Sequence, residues 1–314
     1  MDFKYIYYRY VDALINRLSE KILKKKIIQN KCGSKQIISK EACNSKIFDA
    51  ICNNRPYMVA RYGSTEMLAI CGFLDKKNHL KRNIPDSTIE QMERWSGFFP
   101  KEKELLECFC EMMIEQSINA DLLGIWNQMD VFMVERYAKN ASICKLSAIE
   151  PWYTPSGPWT AALKGKKVLV IHPFSETILN QYKKRELIFP GTEILPLFEL
   201  YTIKAVQTLA GEPDKRFSNW FEALDWMFDE AMKVNFDVAI LGCGAYGFPL
   251  AARLKREGKI AIHMGGAVQL LFGIKGKRWD NHPVISKFYN DNWVRPNSSE
   301  KPKGASKVES GCYW

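Results

Sequence analysis

The sequence predicts an α/β fold: a mostly parallel sheet flanked by helices, preceded by an N-terminal amphipathic helix. Three observations lead there. Short apolar runs at 57–61, 167–171, 236–241 and 260–263 read as buried strands. Segments of helical period separate them, at 65–74, 176–185, 220–234 and 246–257. Each strand runs directly into a glycine, proline or polar turn, as βα units do. In such sheets ligands lie beyond the carboxyl ends of the strands, so the loops after Arg61, Ile171, Leu241 and His263 carry the functional expectation.

The remaining elements follow in chain order. Residues 3–29 read as one basic amphipathic helix, with Tyr7, Val11, Leu14, Leu18 and Ile22 at three- and four-residue spacing and Lys21, Lys24, Lys25 and Lys26 near its end. A helix packed on the domain and a peripheral attachment to an anionic membrane surface both fit that pattern. Residues 30–40 read as weakly ordered and 43–54 as a helix. Residues 84–115 are helical with a break at 97–100, and 129–138 form a further helix. Strands are expected at 142–150 and 193–196, with a proline-rich turn at 151–158. The polar, lysine-rich stretch 296–308 reads as irregular. The organisation expected is an N-terminal helix and linker over 1–45, one catalytic domain over 46–293 and a tail over 294–314.

Composition narrows the partners. At 314 residues the chain can bury a large core, and its 46% hydrophobic and 25% charged content is that of a globular protein. No apolar run approaches the roughly 18–20 residues that span a bilayer, and no secretory leader pattern opens the chain. A cytoplasmic location, peripheral at the inner membrane face, is the expectation. Nine scattered cysteines without a C-x-x-C pair suit reduced thiols rather than disulfides or zinc. The net charge of +10 suits a phosphorylated ligand or an anionic surface; no nucleic-acid module accompanies it, so nucleic acid is not expected as a partner.

The clearest chemical signal is Gly242-Cys243-Gly244-Ala245-Tyr246-Gly247, between a strand and a helix. Glycines so spaced allow a tight turn and bring backbone N–H groups to an anion at the helix start. A dinucleotide site would want an acid at the end of the next strand; here that strand ends in His263, followed by a second glycine turn, Gly265-Gly266. A dehydrogenase or methyltransferase is therefore the weaker reading of the turn.

Three further clusters lie at strand ends. Arg61-Tyr62-Gly63-Ser64-Thr65-Glu66 offers a planar fork for a diphosphate at Arg61 and a carboxylate at Glu66, against a plain helix cap by Ser64. His172 and Glu176 bracket Ser175 and are candidates for acid–base work. Lys275 and Arg278 sit beside Trp279, a pattern that suits phosphate capture or a solvated basic loop.

Together these segments resemble glycosyltransferases of the GT-D fold, including GT-D-like proteins of bacterial surface-polysaccharide loci. The likeness spans about residues 47–293 and rests on the Arg61–Glu66 turn and on the block from Asp237 through His263-Met264-Gly265-Gly266 to Lys277-Arg278-Trp279. The resemblance implies a Rossmann-like domain that transfers a sugar from a nucleotide-sugar donor, a UDP-sugar first, to a cell-surface glycan or lipid-linked precursor. It implies donor contacts at Arg61, Gly63, Ser64, Gly242, Gly244, Ala245, Tyr246, Gly247, His263, Gly265, Gly266, Lys275 and Arg278, with catalytic duties for Glu66, His172 and Glu176. The family's Asp-x-Glu motif binds a divalent cation, Mn or Mg. Its first acid falls on Ser64 here, which leaves Glu66 as the one carboxylate for a metal and leaves open whether cations replace it. A non-catalytic glycan- or membrane-binding role in polysaccharide assembly is the competing expectation.

Overall fold

The computed structural model describes residues 1–15, 18, 31–208, 212, 214–302, 304–305 and 311–314. Nine strands form one sheet: β1 (Lys31–Cys32), β2 (Lys35–Ile38), β3 (Tyr57–Ala60), β4 (Leu122–Ile125), β5 (Ser142–Lys145), β6 (Lys167–His172), β7 (Glu199–Lys204), β8 (Val238–Leu241) and β9 (Ile260–His263). Their spatial order is β1-β2-β5-β4-β3-β9-β8-β6-β7. Among the described residues only the β1–β2 hairpin is antiparallel, and the other ladders are parallel. The fold is α/β, as its alternating strands and helices predict.

Burial on both faces explains the composition of the central strands. β3, β8 and β9 are buried at every position. A strand covered on both sides reads as a continuous apolar run, since successive side chains enter opposite layers. Met58, Ala60, Leu169, Ile171, Ala239 and Leu241 join one core. Tyr57, Val59, Val168, Val170, Val238 and Ile240 join the other. The helices Ser64–Lys77, Lys103–Gln116, Trp220–Met232 and Gly247–Arg256 cover the first layer. Lys40–Cys52, Ser175–Tyr182 and Val268–Leu271 cover the second.

Several expectations change. Residues 31–38 are a hairpin rather than weakly ordered: Gly33 turns at φ 61°, and Ser34 N–H donates to Glu135 at 2.8 Å. The strand expected at 193–196 is a loop whose Ile194 and Leu195 pack into the second core, while the ladder beside β6 is formed by Glu199–Lys204. The strand expected over 142–150 stops at Lys145 and gives way to a short 3₁₀ turn, Leu146–Ile149. The helical stretch 84–115 with its break at 97–100 is found as expected, as the helices Asp86–Ser96 and Lys103–Gln116, the first ended by Gly97 in the left-handed region at φ 68°. Phe3–Ile6 is α-helical and Tyr7–Asp12 a π turn; residues 16–17 and 19–29 of the expected long helix lie outside the described residues. Among the described residues no helix is long and apolar enough to cross a membrane.

Candidate functional site

The parallel strands present their carboxyl ends along one edge. The chain leaves β3 and β8 toward helices of the first layer, and β9 and β6 toward helices of the second. Adjacent strands whose connections part to opposite faces leave a crevice at their ends. Three such partings, β3/β9, β9/β8 and β8/β6, follow one another here.

Arg61 follows β3 at the first parting. Its guanidinium lies on the backbone of Gly265, where an added Cβ would stand 3.3 Å from Nε and Nη2. It also lies over the Trp126 ring, 5.3 Å from the centroid. Trp126 is held in turn by its indole N–H, which donates to Tyr62 O at 2.7 Å. Arg61 Nε is buried without a hydrogen-bond partner, and no ion pair to Arg61 is seen among the described residues. A buried charged donor left unsatisfied is costly unless an anion completes it.

Two imidazoles line the same edge. His263 Nδ1 lies 3.3 Å from Leu241 O; a carbonyl only accepts, so Nδ1 carries the proton. His172 Nδ1 instead accepts from Phe174 N–H at 3.0 Å, which puts its proton on Nε2. Burial pushes both pKa values down to about 3, with the Arg61 charge adding to the effect on His263. Both rings are neutral near pH 7.

These rings account for two of the glycines. A Cβ on Gly247 would overlap the His263 ring, and one on Gly242 would overlap His172 and stand 2.9 Å from Val268 Cβ. Those two positions are therefore filled by imidazole rather than open to a ligand. Gly244 differs: it sits at φ 58° with open space around it. Ala245 is buried, and Tyr246 stacks on Trp220 at 4.6 Å within the core rather than facing the edge. The cradle expected across residues 242–247 narrows to Gly244.

The turn after Arg61 also departs from expectation. Gly63, not Ser64, is the N-cap of the helix Ser64–Lys77, and the exposed Ser64 side chain makes no cap bond. The Glu66 carboxylate folds back over Gly63, filling the space a Cβ there would need, and Glu66 is 8% exposed. Among the described residues no group of three or more His, Cys, Asp or Glu is arranged to hold a metal ion. One carboxylate beside an exposed serine is a poor donor set for Mn²⁺ or Mg²⁺.

Around His172 the expected pair does not form. Glu176 is exposed, and its backbone N–H donates at 2.8 Å to the carboxylate of Glu300. Glu300 also accepts from Thr177 N–H at 3.2 Å and from the Thr177 hydroxyl. The helix Ser175–Tyr182 is thus capped by a carboxylate from the tail, and its N-terminus is not open to a ligand. With a pKa near 3, His172 is also a weak base in the free protein.

Lys275 and Arg278 lie on aromatic rings rather than on Arg61. The Lys275 ammonium is 5.2 Å from the Tyr289 centroid, and Arg278 lies over Tyr313 at 4.9 Å while donating to its hydroxyl at 3.2 Å. Tyr313 in turn covers Gly266, whose own Cβ would overlap the ring. Of the second glycine turn, only Gly265 therefore meets Arg61.

Two carboxyl groups near Arg61, Asp130 and Glu150, are not among the expected site residues. Asp130 accepts from the backbone N–H groups of Trp126 and Asn127 at 2.7 Å each, and burial still raises it to about 6. Glu150 follows the 3₁₀ turn beyond β5, where burial raises it to about 7 against the lowering pull of Trp152 and Arg61. Only their positions after strands could have marked them, and β4 itself, Leu122–Ile125, is not among the expected strands.

No protein-family model, curated protein or solved structure matches this chain. The site therefore has to be understood from its own chemistry. It offers a guanidinium whose buried Nε has no hydrogen-bond partner, the positive-φ Gly265 against it, Gly244 in open space, two neutral imidazoles and two carboxyl groups of raised pKa. That set can bind a diphosphate-like anion and move a proton nearby.

Proposed function

We propose that this chain is a glycosyltransferase that uses a nucleotide-sugar donor, a UDP-sugar first, and extends a cell-surface glycan or its lipid-linked precursor. The observation that carries the reading is Arg61, buried at Nε without a partner and laid on the Gly265 backbone at the β3/β9 parting. A leaving diphosphate develops negative charge as the sugar departs, and a preorganised guanidinium stabilises it most at that moment. The N–H groups about Gly244 and Gly265 supply further donors to the anion. A carboxylate, Glu66 or Glu150, takes the proton of the acceptor hydroxyl. The neutral His263, standing where a dinucleotide enzyme would grip a ribose with an acid, supports a sugar nucleotide over a nicotinamide cofactor.

A screen of UDP-, GDP-, CMP- and dTDP-sugars by thermal shift, with and without Mn²⁺, tests the reading. Stabilisation by one donor class supports it, and no shift with any of them overturns it. The exposed Ser64 in place of a metal-ligating acid favours a second reading, a non-catalytic binder of the same ligand. Binding without any turnover or hydrolysis of the donor would select that one.

A further inference from the structure

The first helix is fastened to the domain along one side. Tyr5 is fully buried, and its hydroxyl donates to Cys71 O at 2.8 Å and to Asp75 Oδ1 at 2.7 Å. Tyr10 donates to the same Oδ1 at 2.9 Å, Arg9 lies 3.8 Å from Asp75 Oδ2, and Lys4 pairs with Glu135. In an α-helix residues five apart diverge; the π turn Tyr7–Asp12, bonded i to i+5, brings them onto one side. The wider turn thus lets Tyr5 and Tyr10 share one buried carboxylate.

Among the described residues, the other side of this segment carries exposed apolar side chains. Phe3 is 79% exposed, Leu14 57% and Leu18 50%, with Tyr7, Val11 and Ile15 also exposed between them. Among the described residues, half of the exposed large hydrophobic side chains fall within the first 18 positions. Scattered apolar residues on a surface need no explanation, but a stripe at three- and four-residue spacing does. The sequence that follows is strongly basic: Arg17, Lys21, Lys24, Lys25 and Lys26 stand against the single acid Glu20 between positions 13 and 30.

We propose that this stripe docks on an anionic phospholipid bilayer. The apolar side chains enter the boundary between headgroups and acyl chains, and the basic run that follows lies against lipid phosphates. Charge decides between this occupant and a second copy of the chain. Pairing two such stripes side by side would bring two basic runs together without counter-charge, whereas an anionic leaflet supplies it. The proposal rests on the first segment's own apolar stripe and basic run, whatever ligand Arg61 takes.

Sedimentation of the whole protein with vesicles tests it, comparing pure phosphatidylcholine with phosphatidylcholine containing about 30% phosphatidylglycerol. The protein is expected to pellet with the anionic vesicles, less so in high salt, and not with the neutral ones. The double substitution Leu14→Ser and Leu18→Ser should weaken partitioning by about tenfold or more. Its melting temperature should stay unchanged, since both side chains are exposed. Failure to pellet with anionic vesicles, or equal pelleting of the double variant, overturns the proposal. So does a dimer in light scattering that the same substitutions dissolve, which would assign the stripe to a second copy.

Discussion

The His263 imidazole fills the space that a side chain on Gly247 would occupy. The glycine at the start of the helix Gly247–Arg256 is thus required by a neighbour in β9, not by its own backbone angle, which is ordinary helix at φ −62°. Gly247→Ala should cost about 1–3 kcal/mol through overpacking. Adding His263→Ala should recover part of that loss, so a double-mutant cycle by urea denaturation should show strong coupling. Additive effects would mean that the contact is not what selects glycine.

Arg61→Gln should leave the melting temperature of the free protein unchanged or slightly higher, because the half-buried Arg61 holds its Nε buried without a hydrogen-bond partner. The same variant should lose the stabilisation given by the nucleotide sugar, and Arg61→Lys should recover little of it, since an ammonium lacks the planar fork. A full ligand shift in Arg61→Gln would remove this residue from the site.

The two buried imidazoles give the fold a signed dependence on acid. Their folded pKa values, about 3, lie below the ordinary histidine value, so their contribution is complete above about pH 6.5 and is lost as pH falls toward 3. Asp130 and Glu150, raised to about 6 and about 7, act in the opposite sense: their contribution is greatest in acid and fades as pH rises through those values. Between pH 7 and 4 the two pairs nearly offset each other, so the sign shows in the variants. In denaturant titrations over that range His172→Asn with His263→Asn should make stability rise toward acid, and Asp130→Asn should make it fall.

If Glu150 takes the acceptor proton, turnover should decline as pH drops below about 7, and Glu150→Gln should abolish turnover while donor binding persists. Glu66→Gln should give the same separation if Glu66 is the base. Steady-state rates across pH, set beside the thermal shift for the donor, distinguish the two carboxylates.

Glu300→Ala should destabilise the protein by about 1–2 kcal/mol, because three donors at the start of Ser175–Tyr182 lose their acceptor. Glu300→Gln retains one acceptor oxygen and should lose about half as much. Thermal melts of the two variants provide the comparison.

Most strands of the sheet were legible because burial on both faces forces uninterrupted apolar runs, as in Val238–Leu241 and Ile260–His263. The edge strand Glu199–Lys204 was not: it is half-exposed, and the denser apolar stretch before it, Ile194 and Leu195, serves packing instead. At the site, Arg61, Gly244, His263 and Gly265 could be found because each follows a strand or opens a turn. The duties of Glu300 and Tyr313 could not, since both act across more than thirty residues of chain on elements with which they share no local pattern. Glycine spacing alone also misled at Gly242 and Gly247, where the empty volume belongs to histidine rings.

The strand order gives Arg61 and Gly265 one more consequence. Strands from residues 31–145 make up one side of the sheet and strands from residues 167–263 the other, and the two sides share the single ladder β3–β9. Arg61 and Gly265 stand at the carboxyl end of that ladder, one from each side. A ligand clasped between them would act as a stitch across the join. Its binding should be felt as greater cooperativity in unfolding of the whole sheet, even by strands it never touches.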